Sequence, residues 1–415
     1  MRILHSSDWH LGRHFGPESL LPDQASFVDW FIGQVSEQDA DLVVIAGDVF
    51  DRAIPPTEAI TLYTSALRRL AEAGGKVAII AGNHDGPERL ALYDSLLDLS
   101  GIFVRGGYSN IGEVIRLEMS DGPLDLVLLP FLEPQAAPDS LASVVVGASD
   151  TAAPTTVVAA SSDSDDASDP DDSAARRRQR RTHESVLAAA VAAVAPALSA
   201  PRSIAVAHAF VTGGTTSESE RQLSVGGTST VSGDVFAPFS YTALGHLHTP
   251  QPVGAPTLRY SGTPLAYSFS ETAAKSITVV DMSPTGECEV STIAVPVGRA
   301  AVTVTGRIDE LLEGEATAEQ STSWVRAILT DPGVVLDAKS RLQTKFPFVV
   351  EVELRPEGLA VGPDGEPVAD VRTLTAEQAI ATFWEEAQGA PPTEAETEWL
   401  HKALAAARAK AEVAV

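Results

Sequence analysis

The chain has 415 residues, 44% of them hydrophobic and 20% charged, with a formal net charge of −27 and a single cysteine, Cys288. That length and apolar content suit two or three globular domains. One cysteine excludes an intramolecular disulfide and a thiolate metal cluster and fits a reducing, cytoplasmic compartment. The acidity argues against a chain that grips nucleic acid through its own net charge.

No apolar window reaches membrane-spanning length. The most apolar helical stretch, Val186 to Ala200, is mostly alanine and too short. Met1-Arg2-Ile3-Leu4 runs directly into Asp8 and His10, unlike the apolar core of a cleavable leader.

Met1 to Ser7 reads as a strand ending in Asp8-Trp9-His10. Asp23 to Gln38 carries helical apolar spacing through Phe27, Trp30, Phe31 and Val35. Leu42-Val43-Val44-Ile45-Ala46 is an apolar run of the buried-strand type and ends in Gly47-Asp48-Val49-Phe50-Asp51. Thr57 to Ala73 predicts an amphipathic helix through Ile60, Ala66, Leu67 and Leu70, stopped by Gly74-Gly75. Lys76 to Ala81 is the next strand and ends in Gly82-Asn83-His84-Asp85. This alternation predicts an α/β layer. Its polar residues fall at the carboxyl ends of the strands, where open α/β sheets place their ligand sites.

Leu124 to Leu129 predicts a further strand, closed by Pro130. The acidic tract Ser161 to Ser173 and the arginine run Arg176 to Arg181 cannot bury enough apolar surface to fold, which predicts a disordered insertion at about 142–180. The arginines read as a solvated run neutralising the acidic tract beside them. Thr182 to Ser199 predicts an alanine-rich helix. Ser203 to Ala207 is a strand ending in His208, and Phe239 to Leu244 another ending in Gly245-His246-Leu247-His248. Leu258 to Tyr260 and Ser276 to Val280 extend this strand-rich half. Together the halves predict an α/β (α+β) fold, a two-sheet β-sandwich flanked by helices.

After Pro296 the character changes. Strands at Ala301 to Thr305, Trp324 to Leu329 and Phe348 to Leu354, with a helix at Ile308 to Leu312, make a small α+β unit. The Pro- and Gly-rich stretch Arg355 to Val371 reads as a linker. Two closing helices each open with a capping box, Thr375 with Gln378 and Thr393 with Glu396. Their aromatics Phe383, Trp384 and Trp399 suit either core packing or a docking surface.

Five strand ends therefore share one pattern, contributing Asp8 and His10, Asp48, Asn83 and His84, His208, and His246 and His248. Five of the nine histidines lie there. A nitrogen and oxygen donor set without thiolate suits Mn²⁺, Fe²⁺ or Zn²⁺. Seven candidate ligands (Asp8, His10, Asp48, Asn83, His208, His246 and His248) exceed one tetrahedral ion and fit two cations sharing a bridging carboxylate. Two cations roughly 3.5–4 Å apart neutralise a phosphodiester and lower the pKa of the attacking water. The leaving alkoxide needs a proton, and His84, beside Asn83, is the candidate donor. Asp51 and Asp85 read as residues that orient a histidine or cap a loop, Trp9 as a packing residue, and His5, His14, His183 and His401 as structural or surface groups.

Asp8-x-His10, Gly47-Asp48-x-x-Asp51, Gly82-Asn83-His84-Asp85, His208 and Gly245-His246-x-His248 resemble, in order, the calcineurin-like metallophosphoesterase pattern. Gly47 to Pro56, Ser217-Glu218-Ser219-Glu220-Arg221, Leu244 to His248 and Tyr260-Ser261-Gly262-Thr263-Pro264 are similar to the SbcD family, nuclease subunits of bacterial SbcCD complexes. The resemblance covers nearly the whole chain apart from the insertion. It implies that Asp8, His10 and His248 bind one metal and Asn83, His208 and His246 the other, with Asp48 bridging and His84 as leaving-group acid. It implies two Mn²⁺ ions and a nuclease domain over 1–296. It further implies a DNA-arranging capping domain over 297–356, a linker over 357–372 and an SbcC-docking helical region over 373–415. The implied partners are the SbcC ATPase and double-stranded DNA, including hairpins and blocked ends, within a homodimer inside a heterotetramer. The implied activity is an ATP-stimulated 3′–5′ exonuclease and hairpin endonuclease in DNA repair and recombination, cytoplasmic on the nucleoid and without a membrane. A phosphatase or cyclic-nucleotide phosphodiesterase on the same fold, and an inactive scaffold subunit, are the alternatives. The capping unit and terminal helices count against the first, and the complete ligand set against the second.

Overall fold

The computed structural model describes residues 1–139, 141, 181–220, 230–356, 375–388 and 391–412. The insertion expected at about 142–180 and the linker expected at 357–372 lie outside the described residues. The chain divides into two compact units. Met1–Val304, Leu312–Ala327 and Lys339–Val352 form the first, and Thr305–Leu311, Ile328–Ala338 and Glu353–Val415 the second.

Twelve strands build two six-stranded sheets in the first unit. In chain order they are β1 (Arg2–Ser6), β2 (Leu42–Ala46), β3 (Lys76–Ile80), β4 (Ile102–Arg105), β5 (Ile115–Met119) and β6 (Gly122–Leu129), then β7 (Ser203–His208), β8 (Tyr241–Gly245), β9 (Gln251–Val253), β10 (Ala255–Tyr260), β11 (Ser276–Met282) and β12 (Cys288–Ala294). The first sheet runs β12-β11-β1-β2-β3-β4 and the second β9-β10-β8-β7-β6-β5. Both are mixed: β1 to β4 pair in parallel, as do β6, β7, β8 and β10, while β11, β12, β9 and β5 pair antiparallel.

Alternation along each strand decides which layer a side chain joins. Leu42, Val44 and Ala46 face inward with Ile3, Ala78 and Ile80, meeting Leu126, Leu128, Ile204 and Val206 of the second sheet. The intervening Leu4, Val43, Ile45, Val77 and Ile79 face outward against helices α1 (Leu21–Glu37) and α2 (Thr57–Glu72). On the far face of the second sheet, Val127, Leu129, Ala205 and Ala207 pack on helix α3 (His183–Val194) through Val186, Leu187, Ala190 and Val194. Each large aliphatic side chain so buried contributes roughly 1.5–3 kcal/mol.

The predicted helices α1 and α2 form within two residues of their expected ends, and Gly74 takes φ 88° where the second stops. The buried stripe of α2 differs from expectation. It is Ala59, Tyr63, Ala66 and Leu70, while Ile60 is exposed. Tyr63 lies four residues from Ala59 and three from Ala66, so its ring completes the stripe, edge-on to Phe50 at 5.2 Å. Strands β4, β5, β9 and β12 were not expected. Trp9 packs as predicted, edge-on to Phe27 and Phe31, with its indole N–H on Ser6 Oγ at 2.9 Å. Near the end of the first unit, Trp324 and Phe348 flank Arg299, and Phe15 stacks on Trp324 at 5.6 Å.

His5 lies fully buried between the sheets, bonded to the Tyr241 hydroxyl at 3.0 Å and near Leu244 O at 3.2 Å. Burial pushes its pKa down to about 3, from an ordinary value near 6.5. The folded chain resists a proton that the unfolded chain accepts, so this stability is present above pH 6.5 and is lost as pH falls toward 3. A His5→Gln variant is expected to show a flatter decline in melting temperature over that window, checked by thermal melts at several pH values.

In the second unit, helices Ala376–Gln388 and Glu394–Glu412 open with the predicted capping boxes. Thr375 N donates to Gln378 at 2.8 Å with Gln378 N returning to Thr375 at 3.2 Å, and Thr393 N donates to Glu396 at 2.8 Å. Phe383 and Trp399 are exposed. Among the described residues no helix is long and apolar enough to cross a membrane.

Candidate metal centre

Strands β1, β2 and β3 run parallel in one sheet and β7 and β8 in the other, and the turns that follow them meet at one edge. Backbone bonds draw these turns together. Asp8 N donates to Gly47 O at 3.0 Å, His10 N to Asp48 O at 2.9 Å, and His246 N to the Asp8 carboxylate at 3.0 Å. Two glycines permit the approach: a Cβ on Gly47 would strike the His208 ring, and one on Gly82 the Asp48 carboxylate.

The turns are conformationally costly. Among the described residues, six other than glycine have positive φ, and four are candidate ligands: Asp8 at 53°, His10 at 43°, Asp48 at 48° and His246 at 108°. Such residues cost roughly 1–3 kcal/mol each and persist where the surroundings over-determine them. Here the surroundings include Asp85, buried and accepting from Gly82 N at 2.8 Å, Phe50 N at 2.8 Å and Val49 N at 3.1 Å. The Gln24 amide likewise donates to His10 O at 2.8 Å and Trp9 O at 3.2 Å.

All eight residues singled out for chemistry come together. Ligand atoms of Asp8, His10 and His248 lie within 4.8 Å of one another, as do those of Asp8, Asp48 and His208, and those of His10, Asp48 and His84. Asn83 Oδ1 lies 3.0 Å from His208 Nε2 and 3.0 Å from His246 Nδ1. Asp48 sits in the middle, its Oδ2 3.7 Å from His10 Nε2 and 3.5 Å from His208 Nε2. Asp51, singled out as an orienting residue, offers its carbonyl to His84 Nδ1 at 2.8 Å and its carboxylate to Arg13 at 3.3 Å.

The donor set fits divalent cations. His208 Nδ1 faces the Ala46 carbonyl at 2.9 Å, which can only accept, so Nδ1 carries the proton and Nε2 presents a lone pair. That lone pair faces the oxygens of Asn83 and Asp48, and among the described residues the buried Asn83 NH₂ has no hydrogen-bond partner. Oxygen and nitrogen lone pairs converging in a buried space repel one another unless a cation lies among them. His10 and His248 also bring their Nε2 atoms together, 3.3 Å apart. Burial, reinforced by Asp48, drives the Asp8 carboxyl well above its ordinary pKa. Burial likewise drives His10 and His246 well below theirs, with neighbouring histidines adding to the shift. Here the Asp8 carboxyl resists ionising and the His10 and His246 imidazoles resist protonation, whereas a bound cation would favour the ionised carboxylate and use the neutral imidazoles as ligands.

Several supporting residues were not singled out from the sequence as orienting groups. Ser219 Oγ lies 2.6 Å from His248 Nδ1 and donates to Glu271, whose Oε1 is itself 3.4 Å from His248 Nδ1. Lys275 Nζ pairs with Glu271 and donates to Thr263 Oγ1 at 2.6 Å, and Glu220 accepts from His248 N at 2.7 Å. Burial alone would raise the Glu271 carboxyl, but His248 and Lys275 outweigh it and bring it to about 2. The carboxylate thus fixes the protonated nitrogen of His248 and leaves Nε2 facing the centre. Glu271→Gln is expected to weaken divalent-metal binding about 10–100-fold by titration calorimetry. It is also expected to lower stability by roughly 3 kcal/mol, because Lys275 is left buried and unpaired.

The calcineurin-like phosphoesterase family matches residues 1–129. The SbcD subunit of the SbcCD nuclease of Bacillus subtilis (strain 168) is 30% identical over 397 residues, covering 94% of this chain and 94% of that protein. Among solved structures, the protein TT1561 of Thermus thermophilus is 13% identical, covering 71% of this chain and 98% of that one, with a TM-score of 0.35. The chain has a mixed α/β metallophosphoesterase fold and, on the extent of its match to the Bacillus protein, belongs to the SbcD family of nuclease subunits.

Proposed function

We propose that the chain is the two-metal nuclease subunit of an SbcCD-type complex. Asp8, His10 and His248 would hold one ion and Asn83, His208 and His246 the other, with Asp48 available to both. The observation that carries this reading is the central position of the Asp48 carboxylate, within 3.7 Å of His10 and 3.5 Å of His208, the two imidazoles on either side of it. When bound, divalent ions, which we take to be Mn²⁺, would neutralise the phosphodiester and lower the pKa of the attacking water. The chain's own residues do the rest. Asp85, Gln24 and Glu271 hold the turns and imidazoles in place, and the sandwich walls shield the buried ligands Asp8, His10, Asp48, His208, His246 and His248 from bulk water. His84 Nδ1 donates to the Asp51 carbonyl, so the proton for the leaving alkoxide would come from Nε2 of the imidazolium form, leaving the neutral ring behind.

The substrate is double-stranded DNA, cut as an ATP-stimulated 3′–5′ exonuclease and as an endonuclease at hairpins and blocked ends, in repair and recombination on the cytoplasmic nucleoid. Residues 297–356 serve as the capping domain that arranges DNA, and 373–415 dock on SbcC. Exposed Phe383 and Trp399 on capped acidic helices support the docking role. Exposed Leu92, Tyr93, Leu96 and Leu99 offer an apolar surface for pairing two copies. SbcC then supplies positive charge that a chain of net charge −27 lacks.

The test is Mn²⁺-dependent cleavage of a labelled DNA hairpin by the full chain with and without SbcC and ATP. Cleavage stimulated by SbcC is the expected result. Intact DNA, together with hydrolysis of a small cyclic phosphodiester, would replace this reading with that of a phosphodiesterase.

A further inference from the structure

We propose that Phe131 is a stacking shelf for an unpaired nucleobase at the DNA end being cut, beside the Asn83, His208 and His246 half of the centre. The proposal rests on the DNA-cleavage reading above. Strand β6 ends at Leu129, in register with Ala207 of β7, and His208 closes β7. The next residues of the β6 chain, Pro130 and Phe131, therefore occupy at that edge the place that candidate ligands take on the neighbouring strands.

The backbone of Phe131 is anchored to the centre, since its N–H donates to Ala81 O at 2.8 Å, two residues before Asn83. Its ring lies 6.4 Å from the His208 ring at 82° and 5.3 Å from the His183 ring at 42°. The segment that follows is held as well: the Tyr108 hydroxyl donates to Glu133 O at 2.8 Å. Yet Phe131 is only half-buried and, among the described residues, belongs to none of the three apolar clusters, although Val127, Leu129 and Leu132 all join the second. Across the same half-site, Phe210 sets its ring 6.3 Å from that of His246.

A rigid, half-exposed ring next to a candidate ligand suits one kind of occupant. When a phosphodiester sits on the centre, its flanking nucleosides lie within a few ångströms of the ligands, and a base beside the cut that is unpaired can reach the ring. Every base presents a π-face, so stacking captures it whatever the sequence. Stacking also needs no positive charge, which matters in a chain this acidic.

The test uses the full-length chain with Mn²⁺ and DNA duplexes carrying 5-iodouracil at the terminal position, irradiated and mapped by mass spectrometry. In parallel, cleavage of frayed and fully paired ends is compared for wild type, Phe131→Leu and Phe131→Trp. Expected are a crosslink at residue 131, a preference for frayed ends, a roughly 10-fold fall in that preference in Phe131→Leu, and its retention in Phe131→Trp. A crosslink elsewhere, or an unchanged preference in Phe131→Leu, overturns the shelf. If Phe131→Leu fails to fold, the wild-type crosslink position decides. If wild type leaves all DNA intact while hydrolysing bis(p-nitrophenyl) phosphate, the nuclease reading fails and the shelf with it. DNA cleavage with no dependence on the ring at residue 131 removes the shelf alone.

Discussion

Replacing Asp48 by Asn is expected to lower phosphodiester hydrolysis by about 10³-fold or more while making the metal-free protein more stable. Asp48 lies among Asp8, His10, His84 and His208, so its loss weakens both halves of the centre at once. The stability change has the opposite sign for a simple reason. Asp8 is fully buried and already driven toward its neutral form by burial and by the nearby Asp48 charge. An amide keeps the shape and removes one buried negative charge without a compensating cation. A relief of roughly 1–2 kcal/mol corresponds to a rise of about 2–4 °C in melting temperature for a domain of this size. With Mn²⁺ present the order should reverse, because an ion at 100 times its Kd adds about 2.7 kcal/mol per site to the wild type. Thermal melts in a chelator and in Mn²⁺, set beside hydrolysis rates, check both signs.

The second large effect is expected at His84. His84→Ala should cut DNA cleavage by about 10²–10⁴-fold while the number of bound metal ions stays the same. His84 lies close enough to His10 and Asp48 to be taken for a ligand, with ring centroids 4.7 Å apart between the two histidines. Leaving groups separate the two roles. A DNA alkoxide needs a proton on departure, whereas p-nitrophenolate departs without one. If His84 is the acid, the variant loses far more rate on DNA than on a p-nitrophenyl ester. If it is a ligand, both substrates suffer alike and metal binding falls.

The sheets and the ligand turns were legible in the sequence for the same reason. Apolar runs such as Leu42 to Ala46 are long enough to specify a buried strand, and each is followed at once by residues too polar to continue it. The rare histidines then marked which strand ends matter. Strands β4 and β5 escaped because Ile102–Arg105 is only four residues long and Ile115–Met119 mixes arginine and glutamate into its run. Arg105 is buried nonetheless, because Asp98 and Glu113 pair with it at 2.9 and 3.0 Å. Tyr63 is missing from the expected α2 stripe, which was drawn through aliphatic residues alone, yet its ring lies in the core.

The supporting residues were illegible on different grounds. Glu271 reaches His248 from 23 positions away in the chain and Gln24 reaches His10 from 14, through turns whose paths no periodicity encodes. A lysine is seldom buried unless it is paired, and the sequence does not show that Glu271 pairs with Lys275. The positive φ values at Asp8, His10, Asp48 and His246 are likewise a product of tertiary packing, since none of these residue types demands that conformation.

Titration of Mn²⁺ into the metal-free full chain, followed by calorimetry, tests the two-metal centre most directly. Two ions per chain in the wild type and fewer than two in Asp48→Asn is the expected result. One ion per chain in the wild type, or two undiminished in Asp48→Asn, would contradict a centre built around a shared carboxylate.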